Sequence, residues 1–431
     1  MNSSRITTLL VGDTLCFAAA LLLMIAAETS GTPQTGIVAF YAQAFAVPLF
    51  LFLIINYITN LYDIQSTVAT PRSIGRFALA AVLGGGITAL FFYIFPKFGI
   101  SPKTNLVILA AGFFILLTVW RRIFFHLFAR SLARRIFFIG ESAETTHLQE
   151  ALTAHPHLGT TVGIAKTLDA YLAADLPVDM LVIAKDIGVQ EVERAAHTAV
   201  SIITVRGAFE ELFGRIPLAH FTAEDAFSLL EQKSQERKTI FYRLFEIVIA
   251  TSVLIISSPF LLVAALAILI EDGRPIFIQQ KRVGEHGNIF TVYKFRSMKA
   301  LAPDGSAEIA GAQWAEKKDN RRTKVGNILC TLHIDELPQM WNIIRGDIAL
   351  VGPRPERPEF VIMLEKEIPF YFLRHAIKPG FTGWAQIKYR YARTIEDSRE
   401  KFEYDLYYLR HRSLLLDIGI LAKTIQIIFT H

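Results

Sequence analysis

Five long apolar runs are the feature that most restricts how this chain can fold. A helix needs about 20 apolar residues to cross a bilayer. The first three runs are long enough, and the fourth is long enough if it begins near Thr104. The first four runs lie at about Thr7–Ala27, Ile37–Thr59, Phe77–Pro96 and Leu106–Trp120. We therefore predict a membrane α-helical bundle of four spans over residues 1–130, retained rather than cleaved as a signal peptide.

Basic residues predict how this bundle is oriented. Lys97 and Lys103 flank the spans on one side, and a larger set flanks them on the other: Arg5, Arg72, Arg76, Arg121 and Arg122. Cytoplasmic flanks carry the excess of Lys and Arg, so we expect both ends of the bundle to lie in the cytoplasm. Asp13 is the one acid inside the first run, and we expect it to reach the membrane surface or cap its helix.

The charge balance narrows the class of ligand. Charged residues make up 19% of the 431 residues and the net charge is +5, whereas a soluble protein carries about 25% charged residues. A basic membrane protein suits an anionic lipid surface or phosphate ligands. We expect no nucleic-acid partner, because the chain has no zinc-finger or RNP pattern. With Cys16 and Cys330 as the only cysteines, a disulfide framework or a cysteine metal site is not expected.

From Arg134 the pattern changes to short apolar runs that alternate with helical stretches. The runs are "RRIFFI", Val178–Asp186 and "SIITVRG", and a helical stretch covers Val189–Val200. This alternation predicts a small parallel α/β domain, Rossmann-like, over about residues 134–226. The turn "GESA" lacks the later glycines of a dinucleotide fingerprint, and Glu141 would repel a pyrophosphate. We favour a degenerate structural domain over a nucleotide sensor.

The fifth apolar run, Ile247–Ile270, contains Ser257, Ser258 and Pro259. Proline removes a backbone hydrogen bond, and neighbouring serines can satisfy the freed groups. Length alone favours a spanning helix. Basic residues at both flanks instead favour both ends on the cytoplasmic side. We predict a re-entrant helix at 247–270 that breaks at Ser258 and Pro259, within a mainly α-helical domain over residues 231–431.

The stretch "DELPQMWNIIRG" has helical spacing. Pro338 fits a first turn, which places Asp335 near the N-cap, Glu336 at the first helical position and Gly346 just beyond the end. The simpler interpretation is that Asp335 caps this helix. The alternative is that the helix dipole keeps Asp335 ionised as a nucleophile on phosphorus, while its neighbour holds Mg²⁺.

Cationic residues that suit phosphate surround this acidic pair in the sequence. Pro353 and Pro355 stiffen the backbone around Arg354, whose guanidinium can then grip a phosphate, and Arg357 follows closely. A surface turn with a solvated arginine is the alternative. In "VYKFRSMK", two-residue alternation places Lys294 and Arg296 on one strand face, toward phosphate or toward anionic lipid.

These motifs, in order, resemble the polyprenyl-phosphate hexose-1-phosphate transferases, also called monotopic phosphoglycosyl transferases, of bacterial exopolysaccharide and O-antigen assembly. The matching stretches begin near Arg243 and reach the C-terminus. They are "SSPFLL", "GRPIFIQQKRVGEHGNIFTVYKFRSMK", "TKVGNILCTLHIDELPQMWNIIRGDIALVGPRPERPEF", "KPGFTGWAQI" and "YDLYYLRHRSLLLDIGILAKT". The four predicted spans and the degenerate α/β domain look like the large bacterial form of the family.

The resemblance implies a covalent mechanism at the cytoplasmic face of the bacterial inner membrane. Asp335 would attack the β-phosphorus of a UDP-sugar and release UMP, and undecaprenyl phosphate would then accept the sugar phosphate. Glu336 would assist, Mg²⁺ would sit beside these two acids, and Arg354 would bind phosphate. Cys330 and Thr331 stand where many relatives carry basic residues, and Ala349 replaces an expected serine.

Two other functions stay open at this point. A membrane nucleotide-sugar dehydratase or epimerase would need an intact glycine fingerprint and a Tyr-x-x-x-Lys pair, and we find no convincing placement for either. A non-enzymatic scaffold for polysaccharide assembly would have no need of the motifs around Asp335 and Arg354. The sequence does not indicate which sugar is transferred. The bundle and the α/β domain both offer surfaces for a homodimer.

Overall fold

A computed structural model describes most of the chain and divides it into two compact units, Met1–Val205 and Arg206–His431. The described residues are 3–29, 35–58, 61, 71–95, 104–128, 134–156, 158–174, 176–184, 193–194, 197–198, 200–235, 240–299, 321–389 and 394–429. Several features of the sequence predictions lie outside them. They are Thr59, Pro96, Lys97 and Lys103, two of the basic residues that precede the fifth apolar run (Arg237 and Lys238), residues 185–186 of the second predicted strand, and most of the predicted helix Val189–Val200.

The first unit begins with apolar helices: α1 (Ser3–Thr29), α2 (Thr35–Ala44), α3 (Ala46–Ile58), α4 (Pro71–Ile94) and α5 (Thr104–Phe128). By length and composition α1 and α5 can each cross a membrane, and α2 and α3 qualify as one span bent by 48°. In α4 the apolar stretch found among the described residues, Val82–Ile94, is shorter than a span. The fourth run was predicted to be long enough for a span if it begins near Thr104, and α5 does begin there. The count of four spans stays a prediction.

A buried ion pair joins α1 to α5. Arg121 Nη2 lies 2.6 Å from Asp13 Oδ2, and the two side chains are 1% and 0% exposed. Asn56 of α3 also donates to Asp13 Oδ2, at 3.4 Å, and Arg121 donates to the carbonyl of Leu61. Our expectation that Asp13 reaches the membrane surface or caps its helix is therefore wrong. The charge is tolerated inside the bundle because a cation and an amide meet it there.

A four-stranded parallel sheet completes the first unit and confirms the predicted α/β alternation. Its strands are β1 (Arg134–Ile139), β2 (Gly159–Ala165), β3 (Met180–Ile183) and β4 (Ser201–Thr204), in the order β2-β1-β3-β4, with helices α6 (Ala143–Ala154) and α7 (Leu168–Ala174). The sequence analysis missed β2, because this edge strand contains two glycines and buries only one of its residues fully. That this α/β domain is Rossmann-like stays a prediction.

The second unit is mainly helical, and α8 (Val205–Phe213) begins at the boundary. Its further helices are α9 (Ala223–Gln235), α10 (Ile240–Asp272), α11 (Lys324–Thr331), α12 (Met340–Arg345), α13 (Pro358–Glu367), α14 (Trp384–Lys388), α15 (Ile395–His411) and α16 (Leu414–Phe429). An antiparallel hairpin joins β5 (Phe277–Val283) to β6 (Ile289–Phe295), and β7 (Ala349–Val351) pairs in parallel with β8 (Gly380–Thr382). Among the described residues of this unit, the 3₁₀ turns are Leu218–His220, Glu285–Gly287, Ile334–Gln339 and Tyr371–Ala376.

The boundary between the units differs from the one that we expected. We placed the end of the α/β domain at Ala226, whereas the structure assigns everything from Arg206 onward to the second unit. Phe221 and Ala226 pack in one hydrophobic core with Leu364 and Phe402. The apolar residues of this stretch are therefore buried by the C-terminal helices.

Helix α10 runs without interruption through Ser258 and Pro259 for 33 residues. Pro259 has no N–H to donate to the carbonyl of Ile255 four residues earlier. Ser258 Oγ donates to that carbonyl instead, at 2.8 Å, and Ser257 Oγ donates to the carbonyl of Val253 at 2.6 Å. The helical backbone therefore does not break where we expected, and the Ser258 hydroxyl satisfies the carbonyl that Pro259 leaves free.

Candidate active site

The acidic pair lies in the 3₁₀ turn Ile334–Gln339, which leads directly into α12. His333 occupies the N-cap position with a left-handed backbone (φ 55°) and makes no capping hydrogen bond through its side chain. Asp335 lies inside the turn, so the interpretation of Asp335 as a helix cap is wrong. Gly346 ends α12 with φ 93°, just beyond the last helical residue, as predicted.

Two cations hold the carboxylate of Glu336. Lys294 Nζ lies 2.9 Å from Glu336 Oε1, and Arg354 Nη2 lies 2.6 Å from the same oxygen. Burial alone would raise the pKa of Glu336, but Arg354 and Lys294 hold it well below the usual range. Lys294 and Arg354, which are 60 residues apart in the sequence, therefore converge on one ionised carboxylate.

Asp335 has the opposite environment. It is 9% exposed, and its Oδ2 accepts a weak hydrogen bond from Cys330 Sγ at 3.5 Å. Burial and the negative charge of Glu336 raise the pKa of Asp335 above its usual range, against the opposing charge of Lys294. This direction is contrary to our argument from the helix dipole. Two neighbouring carboxyl groups whose pKa values are pushed apart are typical of a pair with separate chemical roles.

Arg296 does not join Lys294 at the acidic pair. Strand β6 ends at Phe295, so the alternation that places the two cations on one face stops before Arg296. Its guanidinium donates to the carbonyls of Asp272 and Gly273 at 2.8 and 2.9 Å and pairs with the Asp272 carboxylate at 3.1 Å. Arg296 therefore holds the C-terminal end of α10.

Arg357 lies at the N-cap position of α13. Its Nε is 3.4 Å from Glu359 Oε2, and its guanidinium lies over the ring of Phe360. Of the four predicted phosphate-binding cations, the structure thus brings Lys294 and Arg354 into contact with Glu336 and gives Arg296 and Arg357 partners elsewhere.

Sequence reasoning missed a second set of charged residues behind Arg354. The carbonyl of Arg354 accepts from Arg374 at 3.0 Å, and the carbonyl of Pro355 accepts from Arg282 at 3.1 Å. Glu356 lies next to these arginines. The motif "PRPER" gives no signal for this set, because the partners of Glu356 are Arg282, Arg374 and Lys401 from other parts of the chain.

Asp335 and Glu336 meet only some of the requirements of a Mg²⁺ site. Within the described ranges, no three His, Cys, Asp or Glu residues are grouped so that they could hold a metal ion. Mg²⁺ commonly takes one or two carboxylates and completes its shell with substrate phosphates and water. Asp335 suits that role better than Glu336, because Arg354 and Lys294 already bond Glu336.

Sequence comparison identifies the class of protein that this arrangement belongs to. A family model described as bacterial sugar transferase matches residues 237–431. A protein of Bacillus subtilis named uncharacterized sugar transferase EpsL is 37% identical over 195 residues, which are 43% of this chain and 86% of that protein. The chain belongs to the bacterial sugar transferase family.

Two further relatives carry more specific names. A protein of Aeromonas hydrophila named UDP-N-acetylgalactosamine-undecaprenyl-phosphate N-acetylgalactosaminephosphotransferase is 38% identical over 237 residues, 55% of this chain and 54% of that protein. A UDP-glucose:undecaprenyl-phosphate glucose-1-phosphate transferase of Klebsiella pneumoniae is 29% identical over 362 residues, 78% of this chain and 74% of that protein. The match thus spans about half of the length of the Aeromonas relative.

Proposed function

We propose that this protein transfers a sugar-1-phosphate from a UDP-sugar to undecaprenyl phosphate through a covalent intermediate on Asp335. The observation that carries the proposal is the pair of unlike carboxylates with Arg354 and Lys294 beside it. The names of the Aeromonas and Klebsiella relatives support the same substrates. The proposal includes a role at the first membrane step of exopolysaccharide or O-antigen synthesis.

In the first step Asp335 is the nucleophile. The Cys330 thiol orients the carboxylate through Oδ2, and Oδ1 attacks the β-phosphorus of the UDP-sugar. The bond from that phosphorus to the bridging oxygen breaks, and UMP leaves with the electron pair. The product on the protein is an acyl phosphate between Asp335 and the sugar phosphate.

In the second step the phosphate of undecaprenyl phosphate attacks the same phosphorus. The bond to Oδ1 of Asp335 breaks, the carboxylate is restored, and undecaprenyl diphosphate sugar forms. Two successive transfers suit a soluble donor and a membrane-bound acceptor, because each substrate needs only its own access to Asp335.

Arg354 and Lys294 bind the diphosphate in this proposal. A guanidinium can bond a phosphate through two parallel N–H groups, and a lysine acts as a point charge. Glu336 keeps both cations in place before the substrate enters. Where Mg²⁺ binds, Asp335 and the substrate phosphates would hold it, and it would draw charge from the leaving oxygen.

The membrane path of α10 belongs to the proposal. Ile255, Ile256 and Phe260 are 64–75% exposed in the isolated chain, so this helix requires lipid around it. Basic residues at both flanks favour entry and exit on the cytoplasmic side of the bacterial inner membrane, where UDP-sugars are available. The helix is also long enough to cross, and re-entry would require it to tilt or bend within the bilayer.

Release of UMP tests the proposal directly. The purified protein is incubated with Mg²⁺, undecaprenyl phosphate and a panel of UDP-sugars: glucose, galactose and their N-acetylated forms. We expect UMP and a lipid-linked sugar from at least one donor, and none from the Asp335→Asn variant. Folded protein that releases no UMP from any donor would contradict the proposed transfer and favour a scaffold.

A further inference from the structure

The backbone of Arg354 is held from behind by two other arginines. Arg374 donates to the carbonyl of Arg354 at 3.0 Å, and Arg282 donates to the carbonyl of Pro355 at 3.1 Å. These bonds act on the main chain, while the Arg354 side chain reaches Glu336 at 2.6 Å. The direction of the Arg354 guanidinium thus depends on groups that do not touch the acidic pair.

Glu356 lies at the centre of the cations that hold this backbone. Its carboxylate is 3.3 Å from Lys401 Nζ and 4.0 Å from both Arg374 Nη1 and Arg282 Nη1. Burial would raise the pKa of Glu356, but Lys401, Arg374 and Arg282 lower it to about 2. The carboxylate is therefore ionised at every pH at which a membrane enzyme is assayed.

The two arginines are each fixed at a further point. Arg374 pairs with Asp405 of α15 at 3.1 Å and donates to the Tyr371 hydroxyl. Arg282 donates to Gln280 Oε1 at 2.8 Å. The network therefore ties strand β5, helix α15 and the segment around Arg354 together through charged hydrogen bonds.

Charge balance gives Glu356 its particular importance in this network. Arg282, Arg374 and Lys401 are 15%, 3% and 14% exposed at the side chain, so water screens their mutual repulsion poorly. If the carboxylate of Glu356 were neutral, these cations would repel one another and Arg354. Both donors to the Arg354–Pro355 carbonyls would then move.

We infer that Glu356 is a positioning residue for sugar-phosphate transfer, which acts by holding Arg282 and Arg374 on the carbonyls of Arg354 and Pro355. The inference rests on the proposed function, in which Arg354 binds the diphosphate. It adds a residue that touches neither substrate nor the acidic pair. A residue that only stabilises the fold would act independently of Arg354, and this difference is measurable.

A double-mutant cycle tests the link between the two residues. Glu356→Gln keeps the shape and removes the charge, and we expect it to raise the KM for the UDP-sugar about tenfold or more, the typical effect of losing one charged hydrogen bond. Arg354→Ala should raise the KM at least as much. The double variant should be no worse than Arg354→Ala alone.

Glu400→Gln is the matched control, because Glu400 also pairs with an arginine, Arg215, at 2.8 Å. We expect it to leave the KM unchanged. If the effects of Glu356→Gln and Arg354→Ala multiply, or if Glu356→Gln leaves the KM unchanged, the inference is overturned. Arg282→Lys keeps the positive charge but loses the planar guanidinium, and it should raise the KM in the same way. This variant tests the link if Glu356→Gln does not fold.

Hydrogen–deuterium exchange tests the same link without any turnover. The amides of Val283 and Gly380 donate to the carbonyls of Glu356 and Pro353 at 2.9 and 2.8 Å. We expect both amides to exchange faster in Glu356→Gln and at the native rate in Glu400→Gln. Unchanged exchange in Glu356→Gln overturns the inference. If the native protein releases no UMP from any donor, the proposed function fails, and the exchange result still decides whether Glu356 holds this segment.

Discussion

At the scale of single residues, the two acids of the site differ because of what surrounds them. Glu336 contacts Lys294 and Arg354, and Asp335 is buried beside the negative charge of Glu336. The sequence placed both acids and both cations at the site through their motifs. The pairing of Lys294 and Arg354 with Glu336 could not be predicted from the sequence, because it depends on how β6 and the segment around Arg354 pack against the 3₁₀ turn.

The raised pKa of Asp335 predicts where activity is lost in acid. The nucleophile must be ionised, so kcat/KM should fall as the pH drops through a value above the usual range of an aspartate. Glu336→Gln removes the neighbouring negative charge, which lowers the pKa of Asp335 and should shift this acid limb to lower pH. The measurement is the pH profile of UMP release, with Glu359→Gln as control. A limb that stays in place or moves to higher pH would contradict our assignment.

At the scale of elements, the membrane helices carry polar groups whose partners lie on other helices. The pairing of Asp13 with Arg121 could not be predicted, because 108 positions separate the two residues in the chain and each alone resembles a residue near a membrane surface. The continuity of α10 likewise depends on where Ser258 Oγ bonds. Hydropathy predicts that such helices exist, but not which faces meet.

Breaking the Asp13–Arg121 pair should destabilise the bundle strongly. Removing one partner leaves the other charge buried, which costs about 3–5 kcal/mol. Arg121→Met should therefore lower the thermal unfolding midpoint in detergent. Arg122→Met, one residue further along the same helix, changes an exposed side chain and should have little effect. Equal midpoints for the two variants would show that the pair does not stabilise the bundle.

The path of α10 is testable by labelling in intact cells. If the helix re-enters, Arg274→Cys, just beyond its C-terminal end, should react with a membrane-impermeant maleimide only after permeabilisation. Thr35→Cys, at the start of α2 where the charge pattern predicts the outer face, is the positive control. Labelling of Arg274→Cys in intact cells would mean that α10 crosses the bilayer.

At the scale of the whole molecule, the predicted order of membrane helices, parallel α/β sheet and mainly helical C-terminal part agrees with the structure. The boundary between the units was less predictable. The apolar residues around Phe221 resemble the end of an α/β domain in sequence, but Leu364 and Phe402, far along the chain, bury them. Only long-range packing distinguishes these two arrangements.

This packing predicts the result of two truncations. A chain that begins at Arg206 keeps α8, α9 and the core around Phe221, and should release UMP from a UDP-sugar in detergent. A chain that begins at Lys238 loses Phe221, Ala226 and Leu229 from that core and should unfold several degrees lower, as expected for a core that loses apolar side chains. Equal unfolding midpoints for the two truncated chains would contradict the boundary at Arg206.

The acyl phosphate on Asp335 is the central claim, and intact-peptide mass spectrometry tests it most directly. The protein is incubated with its UDP-sugar and Mg²⁺ without undecaprenyl phosphate, then quenched in acid and digested. We predict that the peptide containing Asp335 gains the mass of one sugar phosphate, and that added undecaprenyl phosphate removes this mass before quenching. Transfer to undecaprenyl phosphate that proceeds while Asp335 never carries the adduct would contradict the account.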